Sequence, residues 1–321
     1  VNRPSPRALI VAGTVLVAVL ATISLFLGVA ELDAFVLVES RLPRTLALVL
    51  AGSAFAVTGL IMQLLTRNRL VEPGTTGATD AATLALLAVL LLAPELPVGA
   101  KAALAALGAL AGVLGFLALA RRIPSRSSVL VPVVGILYGG VIGAVAAFVA
   151  YRTDTLQELL NWGIGDFSGI LRGRYEMLWV AAAAAAVAWI AADRFTVAAL
   201  GEDTARGLGL DTRAVMLTGV VIIAAVTGVM IVVTGALPFL GLIVPNLVSR
   251  MVGDSMRRSV PLVALLGAAL VLVCDLIGRT VRFPFELPIS LVMGVVGGVV
   301  FLRLLIGPAD TARRRRRSVA P

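Results

Sequence analysis

The sequence predicts an all-α polytopic membrane protein, and two observations carry that prediction. Hydrophobic residues make up 60% of the 321 and charged residues only 14%, with a mean hydropathy of +1.04. Soluble domains run at about 45–50% apolar and about 25% charged. The apolar residues also fall in long uncharged runs, each near the roughly 20 residues that a membrane-crossing helix needs.

The runs are Ala8–Ala30, Thr45–Thr66, Ala81–Pro94, Ala102–Ala120, Ser127–Tyr151, Met177–Ala192, Ala214–Ser249, Ser259–Cys274 and Leu287–Leu302. Ala214–Ser249 is too long for one span. Gly235-Ala236-Leu237-Pro238 divides it, because proline removes a backbone donor and glycine favours a turn. About ten transmembrane helices result. Ala81–Pro94 and the piece after Pro238 are short, and short helices at depth line cavities or pack inside protein. The first run is too long for a signal-peptide core and reads as an uncleaved span.

Orientation follows from the basic residues, which accumulate on the cytoplasmic side. With the N-terminus inside, 19 of the 27 Arg and Lys fall on the inner side and 8 on the outer. Both termini are therefore expected in the cytoplasm. The whole chain, 1–321, reads as one transmembrane domain, with a cytoplasmic loop at 193–213 and an Arg-rich cytoplasmic tail at 307–321. The net charge of +9 is then mostly topology. The tail is suited to lipid headgroups rather than to nucleic acid.

Composition also excludes chemistry. There is no His, which removes Ser-His and Cys-His catalysis and His-metal sites. Cys274 is the only cysteine, so no intrachain disulfide or cysteine-rich metal cluster can form. The only lysine, Lys101, is not in the Gly-Lys-Ser/Thr context of a phosphate-binding loop. The chain offers no means of hydrolysing a nucleotide, and no cofactor or metal is expected. Small residues one turn apart occur at Gly108/Gly112, Gly139/Gly143 and Gly294/Gly298, and are read as close packing within the chain.

Four features stand out as candidates for function. Arg41-Leu42-Pro43-Arg44 opens the second span on the outer side, where two hydrated arginines on one helix face suit a carboxylate-bearing partner. Asp275 and Arg279, four apart, read as a local intramembrane ion pair, with Arg282 and Glu286 on the following turns. The inner loop Ala199–Asp211 mixes apolar and charged residues at helical spacing. Its Ala205, Leu208 and Leu210 would need cover from the groove of a partner. The outer segment Thr155–Tyr175 carries Trp162, Gly163, Gly165, Asp166 and Phe167, a glycine-hinged turn that reads as a candidate outer gate.

The chain resembles the FecCD family, the permease subunits of type II ATP-binding-cassette importers, from about Glu39 to Leu305. The matching stretches are Arg41–Thr45, Thr66–Gly74, Leu200-Gly201-Glu202, Ala205–Gly209, Phe239–Asn246, Asp275–Arg279 and Glu286-Leu287-Pro288. Their joint order is specific where any one of them is weak. Pro73-Gly74-Thr75-Thr76-Gly77 departs from the Pro-Gly-Leu-Leu-Gly of many members. With Gly165–Ser168 and Arg172–Glu176 it looks like the branch of siderophore permeases built from two different subunits. Asn246 stands where many members have His.

The resemblance implies ten helices per subunit and a central pathway formed with a second permease subunit, a heterodimer. It also implies two cytoplasmic ATPase subunits and an extracytoplasmic binding protein. By resemblance, Arg41, Arg44 and Arg279 receive acidic residues of the binding protein. Gly201, Glu202, Ala205, Arg206, Gly207, Leu208 and Gly209 couple to the ATPase. The implied function is uptake of ferric siderophores across the cell membrane. Haem and cobalamin share this scaffold and remain open as cargo. A secondary, ion-coupled transporter with Asp275 as relay is the rival class.

Overall fold

The computed structural model describes residues 5–28, 33–123, 129–253 and 255–306. The Arg-rich tail lies outside the described residues.

The described elements are helical. They are α1 (Pro6–Phe26), α2 (Ala34–Val36), α3 (Leu42–Thr66), α4 (Ala78–Leu92), α5 (Val98–Ala120), α6 (Leu130–Arg152) and α7 (Leu156–Gly163). They continue with α8 (Leu178–Ile190), α9 (Ala192–Ala199), α10 (Glu202–Gly207), α11 (Thr212–Val233), α12 (Leu240–Val252), α13 (Met256–Thr280) and α14 (Ile289–Ile306). A π-helical turn over Leu37–Arg41 joins α2 to α3 in one 33-residue helix. Six helices among the described residues are long and apolar enough to cross a membrane, and the pair around α8 and α9, bent by 61°, makes a seventh. Three shorter apolar helices, α4, α12 and α14, accompany them.

The break inside the long apolar run falls at the expected place. α11 ends at Val233 and α12 begins at Leu240. Gly235 at φ +76° makes the turn, and Phe239 at φ +64° starts the second helix. Glycine takes that conformation without steric cost, whereas Phe239 is held in it by its surroundings.

α3 is the centre of the bundle, buried along most of its length. Close approach of neighbours is possible because of two glycines. A Cβ on Gly52 would lie 2.7 Å from the carbonyl oxygen of Gly267 on α13. One on Gly59 would collide with the backbone of Gly241 on α12. α1, by contrast, is only 11% buried and turns Val11, Val15 and Val19 outward, as suits a lipid-facing helix.

The expected small-residue motifs divide. Gly108 and Gly112 pack α5 against the backbone of Ala81 and Gly77, and Gly139 packs α6 against Gly77. Gly294 and Gly298 have nothing within 4 Å, so within this chain they pack against nothing described. Gly297, between them in sequence, is the one that meets Phe239.

α1 and α13 run side by side in the same direction, Gly13 against Leu265 and Ser24 against Arg279. α13 begins at α9, where the Met256 amide donates to Thr196. α14 begins at the opposite end, where the Ser290 amide donates to Gly165. α1 therefore starts, and α14 ends, at the end of the bundle that holds α9 and α10. By the distribution of basic residues that end is taken as the inner one, and its opposite as the outer.

Candidate functional site

At the outer end, three helix termini meet around a charged cluster. Arg44, one turn into α3, donates through Nη2 to Asp275 Oδ1 at 2.7 Å and through Nη1 to Glu286 Oε2 at 2.7 Å. Asp275 Oδ2 lies 2.6 Å from Nη2 of Arg279, four residues along α13. Arg279 also donates to the carbonyls of Ser24 and Leu27 at the end of α1. Those carbonyls have no partner within their own helix, because the last turn lacks a following amide. Arg41 does the same for Leu25, at 2.9 Å. The arginines thus cap α1 while the acids bind α3 to α13.

Burial decides what this cluster can offer. The Asp275 side chain is fully enclosed, those of Arg279 and Arg44 are 7% and 12% exposed, and that of Glu286 is 32% exposed. The expectation of hydrated arginines at Arg41 and Arg44 is corrected here. Both point inward, because the ends of α1 and α13 supply acceptors that water would otherwise provide. Only the Arg44–Glu286 edge faces outside. The exposed cations of this end include Arg172, which reaches Glu39 at 3.3 Å, and Arg282, whose guanidinium lies 5.7 Å over the Phe285 ring; Arg152 and Arg174 are exposed as well.

The outer segment after α7 is strapped down. The Asp166 amide donates to the Thr234 carbonyl and the Ala236 amide to that of Trp162. The Asp166 carboxylate receives both the amide and the hydroxyl of Ser168. Phe167 is fully buried, and a Cβ on Gly165 would lie 2.5 Å from the Ala236 carbonyl. Nothing lies within 4 Å of a Cβ on Gly163. Trp162, Gly165, Asp166 and Phe167 are brought together with the α11–α12 break and with the start of α14.

At the inner end, α9 and α10 stand between α8 and α11. Gly201 at φ +127° separates them, and Gly209 at φ +76° ends α10 with the Leu210 amide bonded to the Ala205 carbonyl. That is the left-handed termination that glycine favours. Asp211 then caps α11 through the amides of Arg213 and Ala214. Ala205 is fully buried and Leu210 partly so, which corrects the expectation that both need a partner. Leu208, at 66% exposed, and Leu200, at 65%, do project. Arg206, Gly207 and Gly209 are exposed beside Leu208. A cavity of about 460 Å³ opens next to Leu200, lined among others by Gln63, Arg67, Arg69, Pro245 and Ser249.

Sequence reasoning missed a buried carboxylate between these ends. Glu72, 3% exposed, accepts the Phe239 amide at 3.1 Å through Oε1, and its Oε2 lies beside Gly241 in the first turn of α12. It caps α12 from another segment of the chain, satisfying donors that a helix start leaves open. Gln63 and Asn246 complete the strap. Gln63 donates to the Gly241 carbonyl, and Asn246 to those of Arg69 and Leu242. The available signal is an acid in an otherwise apolar stretch, Leu70-Val71-Glu72-Pro73.

Residues 7–307 match the model of the FecCD transport family. The chain belongs to the FecCD transport family. This FecCD chain is 39% identical over 303 residues to the petrobactin import system permease protein YclN of Bacillus subtilis (strain 168), covering 91% of this chain and 96% of that one. It is 38% identical over 270 residues to the ferric-anguibactin transport system permease protein FatD of Vibrio anguillarum, covering 84% and 86%. The vitamin B12 import system permease BtuC of Citrobacter koseri is 36% identical over 275 residues, covering 84% and 82%. The fold of this chain matches a metal-chelate-type ABC transporter solved in an inward-facing conformation, with a TM-score of 0.80 at 20% identity over 94% of this chain and 99% of that one. The FecCD chain is a multi-pass membrane transport protein.

Proposed function

We propose that the chain is a permease subunit of an ATP-driven importer for ferric siderophores, forming the pathway with a second permease subunit. ATP is hydrolysed on two partner chains at the inner end, and a binding protein delivers the iron chelate at the outer end. The observation that carries this reading is the coverage of siderophore import permeases at 38–39% identity over most of both chains. Vitamin B12 permeases stand close behind, so cargo is decided by mass spectrometry of the ligand held by the cognate binding protein. A cobalamin or haem there overturns the siderophore assignment. The ion-coupled rival has less support, since Asp275 is enclosed by two arginines rather than open to a proton path.

The coupling surface is the exposed crest of α10. Leu208 with its neighbours Arg206, Gly207 and Gly209 would enter an apolar groove on the ATPase, while Ala205 holds the crest to the bundle. Gly201 and Glu202 set the start of that helix. Leu208→Asp is expected to lower ATPase association in detergent by at least tenfold, because a desolvated unpaired charge is costly. Insertion and binding-protein docking should be unchanged. Intact assembly in a pull-down with both ATPase subunits would remove α10 from the interface.

The docking surface is framed by Arg41, Arg44 and Arg279, with Arg172 and Arg282 carrying the exposed charge around that frame. Arg172→Glu with Arg282→Glu is expected to slow binding-protein association in nanodiscs about tenfold at low salt and far less in half-molar salt, where exposed charges are screened. An unchanged on-rate at low salt would move docking elsewhere. The strapped Trp162–Phe167 segment is the candidate gate, opening when the α11–α12 break shifts.

A further inference from the structure

Asp80 is an acid that none of the foregoing uses. Its depth can be read from its neighbours. α4 packs antiparallel to α5, with Gly108 and Gly112 against Ala81 and Gly77, so the first turn of α4 is level with the middle of the 23-residue α5. On the other side a Cβ on Gly139 would lie 2.7 Å from Oδ2 of Asp80, and one on Gly143 would lie 3.3 Å from Oδ1. Those glycines flank the midpoint of the 23-residue α6. Two independent helices thus place the carboxylate near the membrane midplane. The glycines leave the volume it occupies.

Its chemistry there is incomplete. Among the described residues no cation and no side-chain donor reaches Asp80; its own backbone amide is the contact it has. It is also not sealed in, but partly exposed. Gly140, one residue along α6 from Gly139, is exposed and has nothing within 4 Å of its Cβ position. A carboxylate at mid-depth that opens onto hydrocarbon is strongly disfavoured, whereas one that opens onto a water-filled route is tolerated. Membrane helices that begin at depth, as the 15-residue α4 does, are a recurring way of building such a route.

We infer that Asp80 is a carboxylate on the wall of the translocation pathway, near the membrane midplane, and that it favours cargo presenting a cationic or hydrogen-bond-donating group, such as a protonated amine, at that level. The inference rests on the importer reading for its cargo but not for its geometry. It adds a selectivity element inside the permease to whatever the binding protein selects.

The test uses the assembled importer in proteoliposomes. The one native thiol, Cys274, is fully buried and is replaced by Ala. Gly140→Cys then reports on the neighbouring surface of α6 with two membrane-impermeant methanethiosulfonates of similar size, one trimethylammonium and one sulfonate. The expected result is reaction with both reagents, the cationic one at least fivefold faster than the anionic one. That ratio should fall to the value for a small exposed thiol when Asp80→Asn is added. Val15→Cys, at mid-height on the lipid-facing α1, should remain unreactive. Two results overturn the inference: no reaction of the Gly140→Cys variant with or without ATP, or a ratio that Asp80→Asn leaves unchanged. Asp80→Ser repeats the comparison should the Asn variant fail to assemble. Failure of the importer reading shows separately, as an absence of ATP-dependent uptake of radioactive iron chelate by the same vesicles.

Discussion

Asp275→Ala is expected to destabilise the protein by about 3–5 kcal/mol, the range for removing one partner of a buried charge cluster. Asp275 is the shared acid of Arg44 and Arg279, at 2.7 and 2.6 Å, and its side chain is fully enclosed. Without it, two cations are left in a space that only Glu286 neutralises. The loss should appear as a lower temperature of aggregation in detergent and a lower yield of folded protein. Asp275→Asn retains hydrogen-bond acceptors and should cost less. The informative control is Asp275→Leu combined with Arg44→Met and Arg279→Met. Replacing buried ions together by apolar residues is often nearly neutral, so the triple variant should recover part of the loss, less what Glu286 and the Ser24 and Leu27 carbonyls forfeit with their arginines. Equal stability of Asp275→Ala and the unmodified protein would show that the cluster is open to water and merely peripheral. A dependence of uptake on a proton gradient that disappears in Asp275→Asn would instead favour the relay.

Gly59→Val should be comparably severe by a different mechanism. Even the first added carbon would collide with the Gly241 carbonyl oxygen and Cα, and both atoms belong to backbone that cannot turn aside. Overpacking costs about 1–3 kcal/mol where side chains can adjust, and here α3 and α12 themselves must separate. The expectation is a loss of at least about 3 kcal/mol and, in whatever protein survives, greater protease sensitivity at the α11–α12 break. Gly163→Val offers the comparison, since nothing lies within 4 Å of its Cβ position. Similar thermal stability of the two variants would mean that the helices pack less closely than described.

The spans are legible because apolar runs and their interruptions are local. Pro238 and Gly235 announce the break, and Asp211 and Gly209 announce the turn between α10 and α11. The pair Asp275–Arg279 is legible for the same reason, being one helical turn apart. Arg44 reads as a surface cation in the sequence because its acid lies 231 residues away. No periodicity connects the two, and only the folding of α3 against α13 brings them together. Gly52 and Gly59 do not stand out among 32 glycines, since a glycine at a backbone contact and one facing lipid look alike in an apolar run. Ala205 shows the converse: its apolar character suggests a need for a partner, whereas α10 turns it into its own bundle.

The carboxylate of Glu72 has a mechanical consequence. It belongs to the stretch that leads from α3 into α4, yet it closes the start of α12. Pulling α12 away by even an ångström would strand a buried acid and the unpaired amides of a helix end together, an event far more costly than bending a loop. The start of α12 and the root of α4 therefore travel as a single lever. The bend between α8 and α9 and the glycines at 201 and 209 are joints that this rivet does not cross.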